Sequence, residues 1–170
     1  MDLPVAWVFG VYSRQQSETL IREYTYNSSN FSSTFDTRNS AVYGQLSLDV
    51  SSRLNLLTGI RFENRDATYV DTDAVMHNVD EDLWGGRISL QYKTDEGRVV
   101  YGLISRGYKA GGVNSDPDLA PEDREFDTEF MWNIETGFKA SWMQDKFTTQ
   151  IALFYQERRD IQIKQSLVQP

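Results

Sequence analysis

The chain has 170 residues, 39 % of them hydrophobic, with a formal net charge of -8 and no cysteine. That length suffices for one domain, no run approaches the roughly 18 apolar residues of a membrane helix, and the negative charge argues against nucleic acid as a partner. The lack of cysteine excludes disulfides, zinc–thiolate sites and thiol catalysis.

The opening residues, Met1-Asp2-Leu3-Pro4, lack the basic start and apolar run of a signal peptide. An exported protein needs one, so the expectation is that an amino-terminal part of the gene product is missing. From Trp7 onward the chain alternates with a period of two. Trp7, Phe9 and Val11 alternate with Val8, Gly10 and Tyr12, both faces being fairly apolar. The next segments are cleaner. Val42, Gly44, Leu46, Leu48 and Val50 oppose Tyr43, Gln45, Ser47 and Asp49. Leu54, Leu56, Thr58, Ile60 and Phe62 oppose Asn55, Leu57, Gly59, Arg61 and Glu63. Trp84, Gly86, Ile88, Leu90 and Tyr92 oppose Gly85, Arg87, Ser89, Gln91 and Lys93. Val99, Tyr101 and Leu103 alternate with Val100, Gly102 and Ile104, again with two apolar faces. Phe130 to Trp142 puts Phe130, Trp132, Ile134, Phe138 and Trp142 opposite Met131, Asn133, Glu135 and Lys139. Phe147, Ile151, Leu153 and Tyr155 close the series. Period-two alternation predicts strands, with one face apolar and the other polar.

The connections alternate in length. Tight turns fall at residues 51–53, 94–97 and 143–146, and long polar loops are expected at residues 13–40, 64–82 and 107–128. Short turns on one side and long loops on the other characterise outer-membrane barrels, the short side being periplasmic. Rings at both ends of the apolar faces (Trp84 and Tyr92; Phe130, Trp132, Phe138 and Trp142; Phe147 and Tyr155) suit the two aromatic girdles at the headgroup levels. The expected fold is all-β: an antiparallel meander of about seven long strands, part of an incomplete transmembrane β-barrel. An odd strand count again points to a piece of a barrel.

Arg61, Glu63, Arg87, Arg106, Glu135 and Lys139 are grouped as polar residues facing a wet interior, because Arg or Lys against mid-bilayer lipid costs about 2–4 kcal/mol. Their role is plug docking or ligand passage on one reading, and ordinary solvation with ion pairs across strands on the other. The acidic stretch of Asp71, Asp73, Asp80, Glu81 and Asp82 around His77, the only histidine, reads as a solvated outer loop or as a weak calcium site. The stretch holding Asp116, Asp118, Glu122, Asp123, Glu125 and Asp127 reads the same way. Residues 24–37 are polar and aromatic, suited to a polar ligand or to a plain loop. No convincing catalytic pair or cofactor signature is present.

Several motifs in order carry a resemblance. Tyr101 is followed by Gly107-Tyr108-Lys109-Ala110-Gly111-Gly112 and Asn114. Glu129 then precedes Asn133, Glu135, Gly137 and Lys139, and Ala152, Phe154 and Tyr155 precede Asp160 and Gln162. Upstream stand Ala41-Val42-Tyr43-Gly44-Gln45 and Leu57, Gly59 and Arg61. This ordered set resembles the barrel of TonB-dependent receptors over nearly the whole chain. The resemblance implies a barrel of about 22 strands around a plug in the bacterial outer membrane, energised through a TonB box. It implies partners in outer-membrane lipid, the plug, the TonB complex and a small-molecule ligand, most often an iron–siderophore complex. It also implies a transport protein rather than an enzyme. On this reading residues 1–170 are a fragment of the carboxy-terminal barrel domain, with plug, TonB box and final strand outside it. Gly107, Gly111 and Gly112 are expected to adopt backbone conformations closed to other residues. A soluble lipocalin-like barrel is the alternative, with the apolar face lining a cavity instead of meeting lipid. An outer-membrane enzyme would need a catalytic constellation.

Overall fold

The structure is a computed structural model that describes residues 5–23, 30–94, 96–116 and 119–163. Seven strands form one antiparallel sheet in the order β1 (Val5–Arg22), β2 (Phe31–Asp49), β3 (Leu54–Asp71), β4 (Met76–Lys93), β5 (Val99–Lys109), β8 (Glu129–Trp142) and β9 (Phe147–Arg159). Each strand pairs with its neighbour in sequence, apart from the excursion between β5 and β8. That excursion holds a two-stranded ribbon, β6 (Gly112–Val113) with β7 (Glu125–Phe126), and one 3-10 turn at Pro121–Asp123. The expected meander is therefore present. Among the described residues no helix is long and apolar enough to cross a membrane.

Register fixes which residues share a face, because directly opposed residues of an antiparallel pair point the same way. Val11 opposes Val42, Val42 opposes Phe62, and Phe62 opposes Trp84. Ile88, Ile104 and Ile134 form a continuous row, and Ile134 opposes Tyr155. The even residues of β2, β3, β4 and β8, and those of β5 as far as Arg106, thus join the odd residues of β1 and β9 on one apolar face. That face has no cover: Ile88 is 58 %, Ile134 54 % and Leu153 71 % exposed. The buried residues Arg65, Ala67, Tyr69, Asp71, Val79 and Leu83 belong to the opposite face.

The long loops expected at residues 13–40 and 64–82 are largely strand instead. β1 runs to Arg22 and β2 begins at Phe31, while β3 and β4 leave only residues 72–75 between them. Their 18 or 19 residues well exceed the ~9–11 that a tilted strand needs to cross a bilayer core. The reason is that alternation reports a strand only where one face is apolar. Asp36, Arg38, Asn64, Asp66, Asp80 and Asp82 lie in paired strand and make polar the face that is apolar nearer the tight turns, while the opposite face mixes Arg65 and Glu81 with Ala67, Tyr69, Val79 and Leu83, so no one face stays apolar and the period-two signal vanishes. Of the polar segment 24–37, residues 24–29 lie outside the described residues, and residues 31–37 belong to strand β2. The tight turns stand where expected, Asp95 lying outside the described residues. Gly97, at φ 75°, supplies the left-handed residue of the β4–β5 turn.

Candidate functional site

The polar face of β1–β5 carries a connected cluster. Arg61 and Glu63 are two residues apart on β3 and so project together. Arg61 donates to the Glu63 carboxylate at 2.8 and 2.9 Å. Tyr108 donates to the same carboxylate at 2.7 Å, and Asn39 at 2.6 Å. Arg61 also lies 5.1 Å from the Tyr12 ring and donates to the Tyr108 hydroxyl at 3.2 Å. Arg87 donates to Gln45 at 2.9 Å, reaching across the intervening strand. Between Arg61, Arg87, Tyr43 and Tyr108 lies an open cleft of about 630 Å³ with glycines in its floor. Farther along the sheet Tyr101 donates to Glu135 at 2.6 Å, and the Lys139 ammonium sits 5.4 Å from the Tyr101 ring.

Glycines admit these rings. A Cβ on Gly137 would stand 2.4 Å from the Tyr101 ring, and one on Gly85 would stand 3.2 Å from the Tyr108 ring. β5 pairs with β4 only as far as Gly86 opposite Arg106. Beyond that point Tyr108 swings over the bare Gly85 backbone to reach Arg61 and Glu63.

Arg106 departs from its grouping with the polar residues. Its guanidinium lies 4.2 Å from the Trp84 ring and 4.8 Å from the Phe130 ring, and it donates to the Trp84 carbonyl. Trp84 in turn meets Trp132 edge to face at 6.0 Å. Parity explains the placement: Arg106 continues the Val100, Gly102, Ile104 series of β5, whereas charge alone suggested the other face. At the opposite end of the same sheet Arg98 lies 4.3 Å from the Trp142 ring, and the Trp142 indole donates to Thr149 at 3.1 Å. Tyr92 (44 %), Phe147 (58 %) and Tyr155 (65 %) are exposed, and Phe138 opposes Val100 and Ile151 on the apolar face.

Beyond the cluster the β5–β8 excursion is bound to the polar face of β3 and β4. Arg65 bridges Glu81 at 2.8 Å and the Gly111 carbonyl at 2.9 Å, while Glu81 accepts the Gly111 N–H at 2.9 Å. Arg124 donates to Asp71 at 2.7 Å, both side chains being almost wholly buried. Asp71 also accepts from the Tyr69 hydroxyl at 3.1 Å and from the N–H groups of Asp73 and Val75. Burial, with a smaller contribution from the Asp71 charge, holds the Tyr69 phenol above its ordinary pKa. These acidic residues are engaged by arginines. Among the described residues no cluster of three or more His, Cys, Asp or Glu could hold a metal.

Of the motif glycines, Gly111 and Gly112 serve close approach, and none of the three has the positive φ expected. Gly97 is the glycine with positive φ among those described. A Cβ on Gly111 would stand 2.5 Å from the Phe126 carbonyl oxygen and 2.7 Å from Glu81, and one on Gly112 2.9 Å from the Phe126 ring. Gly107 meets nothing within 4 Å. Lys109 is exposed, and the Asn114 N–H donates to the Arg124 carbonyl at 2.7 Å. The last motif falls into place here. Glu129 accepts from Arg158 and from the Gln162 N–H at 2.9 Å, and the Gln162 amide donates to the Ala110 and Asp127 carbonyls at 2.9 and 3.0 Å. Three separated motifs thus converge on one clasp. Tyr12, Asn39, Arg65 and Arg124 escaped sequence reasoning, and Asp71 and Glu81, read there as part of a solvated acidic loop, are ion-paired instead. Their partners lie across strands or loops, and no local spacing announces them.

Residues 2–170 match the family described as TonB dependent receptor-like, beta-barrel. The pesticin receptor of Yersinia enterocolitica is 27 % identical over 94 % of this chain, which spans 25 % of that protein. The pesticin receptor of Yersinia pestis is 26 % identical over the same shares. Among solved structures, the ferric yersiniabactin uptake receptor FyuA from Yersinia pestis aligns with a TM-score of 0.75 at 27 % identity, covering 94 % of this chain and 26 % of its own. The copper transporter OprC aligns at 0.62 with 11 % identity over 91 % of this chain and 31 % of its own, a likeness of fold alone.

Proposed function

Because the chain belongs to the TonB-dependent receptor β-barrel family, an outer-membrane family, we propose that the protein containing it imports a ferric siderophore complex. The observation carrying this cargo is the likeness to the ferric yersiniabactin uptake receptor at 27 % identity over 94 % of the chain. In this reading the face with Ile88, Ile134 and Leu153 meets lipid, flanked by girdles at Trp84, Phe130, Trp132 and Tyr155 and at Tyr92, Phe138, Trp142 and Phe147. The face with Arg61, Glu63, Arg87, Glu135 and Lys139 meets a hydrated interior and a plug. Coupling to TonB belongs to parts of the protein beyond these residues.

The lipocalin-like alternative requires an apolar face turned inward and covered. Here the covered face is polar and the apolar face is open. The copper transporter's fold likeness shows that cargo does not follow from architecture. The test is uptake of radioactive iron as ferric yersiniabactin, and separately of copper, by cells lacking the parent gene and by the same cells carrying it. Restored uptake of the iron complex supports the proposal. Restored copper uptake without iron uptake overturns the cargo while leaving the barrel intact.

A further inference from the structure

Arg106 occupies the middle of the sheet, with β4 on one side and β8 on the other, each flanked by another strand. Strands added beside β1 or β9 cannot cover it, so its surroundings on the apolar face are complete. The Trp84 and Phe130 rings lie against its guanidinium at 4.2 and 4.8 Å. Rings over the guanidinium suit its delocalised charge and leave its in-plane N–H edges as the polar route out. The Trp84 carbonyl takes one of those hydrogens. Among the described residues no carboxylate pairs with Arg106. The neighbouring Arg159, opposite Phe130, is already paired with Glu157 at 2.8 Å.

The position along the membrane normal matters equally. β5 rises from the tight 94–98 turn toward the long excursion, so Arg106 stands at the outer end of the apolar band, level with Trp132. An arginine on a lipid face is tolerated at the interface and not at the midplane. There the groups within reach are headgroup oxyanions, which a guanidinium edge binds through paired N–H bonds.

We propose that Arg106, held between Trp84 and Phe130, binds the phosphate of an outer-leaflet lipid headgroup, fixing one lipid to the barrel wall. The inference rests on the reading that this face meets lipid.

The experiment is native mass spectrometry of the whole receptor in detergent, loaded with diphosphoryl lipid A or with its fully dephosphorylated form. Wild-type receptor is expected to retain the phosphorylated form about tenfold better, and Arg106→Gln to lose that preference. Arg106→Lys, which keeps charge but not the planar fork, is expected to fall between. Inorganic phosphate at equal concentration is expected not to displace the lipid. Equal retention of both lipids by the wild type overturns the phosphate site while leaving the lipid-facing assignment standing. Retention of neither lipid overturns the assignment itself. An Arg106→Gln variant that keeps the preference, or displacement by free phosphate, also refutes the proposal. Loss of receptor self-association in that variant, with lipid retention unchanged, would assign Arg106 to contact with a second copy and refute it too. Should that variant not fold, the wild-type comparison of the two lipids decides.

Discussion

Replacing Arg124 with leucine tests how the outer excursion is held. Asp71 has a side chain of 0 % exposure and Arg124 one of 3 %, at 2.7 Å. Removing the arginine leaves the carboxylate buried with the Tyr69 hydroxyl and two backbone N–H groups as donors. It also strips the Leu119 carbonyl of its Arg124 bond at 3.0 Å. Breaking a buried ion pair from one side costs about 3–5 kcal/mol. The sheet below is held by its own ladder, so the loss falls on local opening of the excursion. At ~1.4 kcal/mol per factor of ten, opening rises roughly a hundredfold to several thousandfold. Hydrogen exchange of residues 119–126 and of Asp73 and Val75, measured by mass spectrometry on the whole receptor in detergent, reads this directly. Adding Asp71→Asn removes the stranded charge, so the double variant is expected to recover about half of the lost protection. Unchanged exchange in Arg124→Leu, or a double variant as poor as the sum of its singles, would refute the reasoning.

Ile134→Arg is expected to destabilise the barrel in lipid vesicles by about 2–4 kcal/mol, read by urea titration of tryptophan emission; a neutral effect would mean the apolar face does not meet acyl chains. Gly111→Ala forces a Cβ to 2.5 Å from the Phe126 carbonyl oxygen and 2.7 Å from Glu81, and is expected to weaken docking of the excursion by about 1–3 kcal/mol, seen as faster exchange at residues 110–113. Gln162→Ala frees the Ala110 and Asp127 carbonyls; at about 0.5–1.5 kcal/mol per bond, limited proteolysis is expected to cut the excursion more readily in this variant than in wild type.

The sheet is legible in the sequence where one face stays apolar. Trp84 to Tyr92 and Phe130 to Trp142 alternate because one face is apolar, and both are strands. β4 also runs through Asp80 and Asp82, and β3 through Asn64 and Asp66, where the apolar face turns polar while Ala67, Tyr69, Val79 and Leu83 are buried on the other, so the contrast fades and the strand goes unread. Arg106 shows a second limit. Its charge suggested one face while its parity fixed the other; two residues on, past the end of pairing with β4, Tyr108 reaches the polar face, so parity decides only along the paired stretch. Glu81 and Asp71 show a third: acidic residues that look solvated in one dimension meet Arg65 and Arg124 only in three. The motif residues Gly111, Glu129 and Gln162 were visible, but not that they bind one another.

The clasp bears on the order of assembly. Every pairing in the sheet joins neighbours in the meander, so hairpins can zip up one after another. Arg124 to Asp71 spans 53 residues and Gln162 to Ala110 spans 52, and neither bond can form until the strands between them have paired. Closing the excursion is thus the final event for this stretch of wall. A barrel interrupted before β9 is in place would lack the Gln162 bonds and hold that segment by its contacts with β3 and β4 alone.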